Sequence, residues 1–226
     1  IDLLVSQGME QEEALYKVLK EMITASKNIR FEGDGYSDEW KEEAMRRGLT
    51  NISHVPEAIM RFNDSQSREV LIGENIFNEN ELICRIEVEL EKFTKKVQIE
   101  SRVLCDLASN HIVPTAVIYQ NRLLENLRGL RETFSQVEYE MLGADRRELV
   151  KEIQFRILEI KQLVREMTEA RRISNRLTSQ VEKAYSYEEK VRPYMEQIRE
   201  HIDHLELEID DEIWPLPKYR ELLFTK

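Results

Sequence analysis

Apolar residues recur along most of this chain in steps of three and four, the spacing of helices that bury one stripe. Between Met9 and Ser26 the stripe is Ala14, Leu15, Val18, Leu19, Met22 and Ile23. It stops at Phe31-Glu32-Gly33-Asp34-Gly35-Tyr36, where two glycines around an acid predict a loop. Ser37 is placed to cap the next helix, and Asp38 and Glu39 suit its dipole. That helix is expected to end at Arg46-Arg47-Gly48. Pro56 suits the first turn of a short helix to Phe62. Another starts at Asn63-Asp64 and closes near Gly73.

From Asn78 the helices lengthen. Asn78 and Glu81 have capping-box spacing, and Leu82, Ile86, Leu90, Phe93, Val97, Leu104, Leu107 and Ala108 predict a helix to about Ile112. Pro114 is expected to kink it, because Val117, Ile118, Leu123, Leu124, Leu127 and Leu130 continue the period. Gly143 closes this segment, and Asp145 is expected to cap a second long helix. Its seam is Val150, Ile153, Ile157, Ile160, Val164 and Met167, loosening to Ala170, Ile173, Leu177, Val181 and Ala184. A helix from Asp145 to Ala184 would be about 60 Å long. The short Met141–Asp145 turn predicts an antiparallel hairpin from Glu79 to Ala184, with leucines to spare for an interface. Ser186 and Glu189 are read as the start of a third long helix carrying Val191, Met195, Ile198, Ile202, Leu205 and Ile209. Asp210-Asp211-Glu212 at its end oppose the dipole; a solvated end is preferred to a basic partner. Pro215 and Pro217 hold Trp214 and Leu216 extended, so Trp214, Tyr219, Leu222, Leu223 and Phe224 are expected to dock.

The expected fold is all-α: a long antiparallel helical hairpin or bundle, shorter N-terminal helices and a docked, extended C-terminal tail. Residues 1–77 would hold the short helices and the acidic loop, and 78–226 the long-helix bundle and tail, as one structural unit overall. The chain opens at Ile1 without a Met or a targeting segment and is expected to be a fragment.

Composition narrows the partners. The 226 residues are 34% charged and 41% hydrophobic, with seven glycines and five prolines, too few for a turn-rich β fold or a disordered linker. The net charge of −11, with Arg146-Arg147 and Arg171-Arg172 beside glutamates, argues against nucleic acid. No apolar run is long enough to span a membrane. Cys84 and Cys105, on one helix, would be about 31 Å apart, too far to bridge. They are expected to be reduced, buried thiols of a cytoplasmic protein.

Candidate chemistry is sparse. His201 and His204 lie three apart with Glu200, Glu208 and Asp211 nearby, a spacing that zinc could use, but a solvated polar face is the preferred reading. Gly33-Asp34-Gly35 has neither a preceding strand nor a following Lys-Ser/Thr, so a phosphate loop is unsupported. His54 and His111 are read as ordinary, partly buried histidines. No residue receives a catalytic, cofactor-binding or metal role.

Four segments carry a resemblance. They are Arg30-Phe31-Glu32-Gly33-Asp34-Gly35-Tyr36-Ser37-Asp38-Glu39-Trp40 running on to Arg46-Arg47-Gly48-Leu49; Gln98-Ile99-Glu100 followed by Ile112-Val113-Pro114-Thr115-Ala116-Val117-Ile118-Tyr119-Gln120; Val191-Arg192-Pro193-Tyr194-Met195; and Trp214-Pro215-Leu216-Pro217-Lys218-Tyr219 with Leu222-Leu223-Phe224. In this order the chain resembles the C-terminal region of type III glutamine synthetase, the large bacterial form, over about residues 10 to 224, with only the helical pattern matching from Leu130 to Tyr185. The resemblance implies an ATP-dependent ligase joining ammonia to glutamate, with magnesium or manganese in the whole enzyme. It puts that chemistry in a catalytic domain upstream of this region. No cofactor is expected in this chain. The implied partners are its own catalytic domain and other subunits, in a homo-oligomer of stacked rings. The alternative reading is a stand-alone helical scaffold or adaptor, and a more distant one is a metal-binding bundle using His201 and His204.

Overall fold

The computed structural model describes residues 1–223. It is all-α, with no strand among the described residues. The chain forms two compact units, Ile1–Ser53 and His54 onward.

In the first unit, α1 (Asp2–Ser6) precedes α2 (Gln11–Ala25), which ends in a 3₁₀ turn, Ser26–Ile29. Ala14 is fully buried and Val18 half-buried, whereas Leu15, Leu19, Met22 and Ile23 are exposed, so the expected buried stripe is only partly covered. α3 (Asp38–Arg46) starts as expected, with Ser37 Oγ accepting from Trp40 N at 3.2 Å. It stops at Gly48, whose φ of 74° is left-handed. Gly48 N donates to Met45 O and Leu49 N to Ala44 O, the paired bonds of a Schellman stop.

The second unit begins with α4 (Val55–Met60), the 3₁₀ turn Arg61–Asn63 and α5 (Ser65–Gly73). The Asn78–Glu81 capping box then opens α6 (Glu79–Leu107). α6 passes through a π-helical turn, Ala108–Ile112, into α7 (Val113–Thr133). The helix thus continues past Pro114 instead of ending there. A proline removes one backbone donor and its ring presses on the carbonyl four residues back. The wider π turn accommodates both effects. Together α6 and α7 run for 55 residues, about 82 Å of helix.

The other end of the predicted hairpin needs correction. α7 stops at Thr133, and a separate α8 (Gln136–Leu142) follows, opened by a Ser135–Glu138 capping box. α9 (Ala144–Asn175) begins at Gly143 with no side-chain cap; Asp145 lies inside its first turn. Gly143 packs so closely that an added Cβ would meet Tyr139 O at 2.9 Å and Leu127 at 3.1 Å. Arg147 ties α8 back, donating to Tyr139 O and to Glu140 O (2.9 Å) with its guanidinium over the Tyr139 ring.

α9 ends at Asn175, short of Ala184. Ser179 caps α10 (Gln180–Ser186), which passes through a second π turn, Tyr187–Val191, into α11 (Arg192–Glu208). Ser186 is therefore no helix start. It is buried inside the helix, with its Oγ 2.8 Å from Ser174 Oγ. Tyr187 OH donates to Asn175 Oδ1 at 2.9 Å, and Gln98 Nε2 donates to the same oxygen. These bonds fasten the break to its neighbours.

The architecture is accordingly a bundle more than a hairpin. α9 packs between α7 and α11, while α6 packs mainly on α10 and α4. Ile153, Ile157, Ile160, Leu163 and Met167 of α9 are buried, joined in one core by Ile112, Ala116, Tyr187, Val191, Ile198 and Leu205. A smaller core holds Leu82, Ile86, Leu90 and Ala184. Of the leucines beyond the seam, Leu127 is buried and Leu123 partly buried, and Leu124 is 43% exposed. Ile160, with no exposed surface, should mark the core's weight: Ile160→Ala is expected to cost about 2–5 kcal/mol in denaturant unfolding. Phe155→Ala, at a ring 49% exposed, should cost visibly less.

Candidate functional site

The two π turns stand where the second and third family-like segments lie. Ile112, Val113 and Ala116 from the first, and Val191 from the second, are buried in the same core, with Tyr119, Tyr194 and Met195 packed against it. Polar residues of these segments also serve the packing. Thr115 Oγ1 donates to His111 O at 2.9 Å, and Gln120 Nε2 donates to Val150 O of α9 at 3.0 Å. Pro114 and Pro193 both stand in the first turn after a π segment.

One charged group is buried beside this junction. Glu188, in the second π turn, has a side chain only 5% exposed. Arg192 Nη1 approaches its carboxylate oxygens at 2.9 and 3.2 Å, and His54 Nδ1 lies 3.0 Å from Oε1. The pair is half-solvated on the arginine side, which lowers the cost of placing a carboxylate here. The Glu188–Arg192 spacing of four was present in the sequence. The His54 partner, far away along the chain, carried no sequence signal. Next to it a groove of 740 Å³ runs between α4, α6 and α11, with Ile59, Phe93, Leu104 and Met195 on its floor and Lys92 and Glu196 among its rim.

The C-terminal segment crosses the same core. Trp214 is 8% exposed, with Ile213 and Leu216 packed beside it. Its Nε1–H is buried without a hydrogen-bond acceptor among the described residues. Lys218 closes the end of α11: Nζ donates to Glu206 O at 2.6 Å, to Ile209 O at 3.3 Å and to Asp211, and sits 5.9 Å from the Trp214 ring. Arg122 of α7 pairs with Asp210 at 3.3 Å. The acid cluster therefore meets basic partners and is not simply solvated. A cation at a helix C-terminus satisfies carbonyls that the helix leaves open. Docking does not extend through the tail. Leu222 and Leu223 are 61% and 63% exposed, and Phe224 and the Tyr219 side chain lie outside the described residues.

The remaining candidates fall apart as sites. His201 Nδ1 lies 3.0 Å from Arg156 Nη1, while His204 is exposed. Among the described residues no group of three or more His, Cys, Asp or Glu could hold a metal ion. His54 and His111 are exposed rather than partly buried. Both cysteines are free, and Cys84 is exposed, contrary to the expectation of a buried thiol. In the first unit, Phe31 stacks on Trp40 at 4.3 Å, and the Arg47 guanidinium lies 5.8 Å from the Trp40 ring centroid. Arg47 also donates to Arg30 O and Lys27 O, so the acidic loop is held from within. Tyr36 at its tip is 95% exposed.

Comparison with known proteins identifies the class. Residues 14–131 match the glutamine synthetase C-terminal domain. The chain belongs to that family. It is 68% identical to the glutamine synthetase of Bacteroides fragilis (strain YCH46) over 226 residues, which is 100% of this chain and 31% of the relative. It is 29% identical over 222 residues to the type-3 glutamine synthetase of Dictyostelium discoideum, 96% of this chain and 29% of that one. A glutamine synthetase of Butyrivibrio fibrisolvens is 32% identical over 120 residues, covering 53% of this chain. The chain thus spans under a third of the length of these relatives. No helix among the described residues is long and apolar enough to cross a membrane.

Substitutions in this docked strap, residues 209–218, test its anchoring. Trp214→Ala is expected to lower stability by about 3–5 kcal/mol and to open the segment after Ile209 to limited proteolysis. Lys218→Met should cost less, about 1.5–3 kcal/mol, because it removes charge-assisted bonds to two carbonyls and to Asp211 but keeps the Trp214 side chain.

Proposed function

We propose that this chain is the helical C-terminal region of a type III glutamine synthetase, a ligase that uses ATP to join ammonia to glutamate, and that its own role is structural. In this reading residues 1–77 join the bundle to the catalytic domain. Residues 78–226 brace that domain and help assemble stacked rings of subunits. ATP and magnesium or manganese act in the whole enzyme, in the cytoplasm. No residue of this chain touches them.

The observation that carries this reading is where the family-like residues stand. Ile112, Val113, Ala116, Val191 and Trp214 lie inside one hydrophobic core, and Gln120 bonds backbone rather than facing a cavity. A substrate site would need convergent polar groups in a concave pocket. The groove beside Glu188 is lined by apolar residues and by charges of both signs, among them Glu89, Lys92, Lys96, Glu100, Glu196 and Arg199, with no His, Cys, Ser or Thr in its lining.

Two measurements follow. The 226-residue chain alone should form no glutamine from glutamate, ammonia and ATP with magnesium; measurable formation would mean that active-site residues are present here after all. In the full-length enzyme, shortening α7 and α9 symmetrically about Gly143 should lower the mass seen by light scattering or the activity per subunit. Unchanged mass together with unchanged activity would remove the bracing role.

A further inference from the structure

The pairing of α9 with α11 contains one contact that tolerates only a neutral imidazole. Arg156 is mostly buried, its side chain 16% exposed, and Glu152 holds it through Nε at 2.7 Å and Nη2 at 2.6 Å. This leaves Nη1 aimed at His201 Nδ1, 3.0 Å away. A guanidinium only donates and stays charged at every accessible pH. Nδ1 must therefore offer a lone pair, so the folded ring is the neutral tautomer with its proton on Nε2. Phe155 lies edge-on to the same ring at 6.0 Å, leaving it an apolar neighbour.

We propose that Arg156 and His201 form an acid-released latch between α9 and α11, in which protonation of His201 sets two cationic donors against each other and frees the C-terminal half of α11 together with the Trp214 strap. His201 is flanked on its own helix by buried Ile198, Ile202 and Leu205. The strap begins at the end of that helix, where Lys218 holds its carbonyls. A shift of α11 at His201 is thus carried directly to the strap's anchor.

The charged groups acting on the ring are Arg156 and Glu159 from α9 and Glu200 and His204 from α11 itself. Burial, Arg156 and His204 disfavour the protonated ring, and Glu159 and Glu200 favour it; the net effect holds its pKa below the ordinary imidazole value. Because the folded value is the lower one, the unfolded chain takes up the proton first. The contribution of this contact is present in full above the ordinary value of about 6.5 and declines as pH falls from there toward the folded value.

Imidazole ¹H–¹⁵N spectra of the protein, followed from about pH 8 to about pH 5 across that ordinary value, test the latch. The expected result is an Nε2–H tautomer for His201 at high pH and a titration shifted below the ordinary value. Its protonation should coincide with increased acrylamide quenching of Trp214, read in a Trp40→Phe background. Arg156→Gln should shift the His201 titration upward. A His201 that carries its proton on Nδ1, titrates at or above the ordinary value, or titrates without any change at Trp214 overturns the proposal. The wild-type titration decides the matter even if Arg156→Gln does not fold.

Discussion

Two prolines inside long helices set the geometry on which the rest of the second unit depends. Pro114 and Pro193 each remove a backbone donor and crowd the carbonyl one turn back. A plain α-helix would break there. Instead each proline follows a π turn, Ala108–Ile112 and Tyr187–Val191, and the helix continues at a new rotation. The consequence is a change of partner. α6 packs mainly on α10 and α4, whereas α7, past the first π turn, packs on α9. Because Tyr187, Val191, Ile112 and Ala116 come from these turns and their edges, the bends themselves become the middle of the core.

The core in turn explains why the strap can dock. α11 brings Ile198, Ile202 and Leu205 to α9 and ends at Glu208 with its last carbonyls open. Lys218 bonds two of the carbonyls at that end, after a segment that buries Trp214. A docked chain end needs both parts. Apolar burial supplies most of the free energy, and a polar clamp fixes the register of a segment that has no helical bonds of its own. With the segment through Lys218 docked and Ile112, Tyr187 and Val191 of the π turns buried, the family-like positions among them are occupied by the work of folding. That is the physical basis for reading the chain as a brace for chemistry performed elsewhere.

Much of this fold was legible in the sequence. The stripes located α2, α6, α7, α9 and α11, and Asn78 with Glu81 marked a true capping box. The continuation of the helix past Pro114 was correctly read because the apolar period resumed beyond it. The errors lie where two local signals competed. Ser186 with Glu189 looked like a helix start, yet Ser174 across the bundle bonds that hydroxyl and Ser179 is the cap. Asp145 looked like a cap, but the tight packing at Gly143 opens the helix instead. The pairing of α9 with both α7 and α11 was not legible, because a stripe reports that a face is buried, not by how many neighbours. The contacts of His54 with Glu188 and of Arg122 with Asp210 join residues distant in sequence and had no periodic signature.

In the proposed role, this bundle folds around its own core and braces a larger enzyme with its outer surface. Amide hydrogen exchange, measured on the 226-residue chain and on the same residues within the full-length enzyme, tests it most directly. The predicted result is equal, strong protection at Ile112, Ala116, Tyr187 and Val191 in both, with added protection in the full-length enzyme along α7, α8 and the first half of α9. A core that is protected only in the full-length enzyme, or outer helices exchanging identically in both, would contradict the claim.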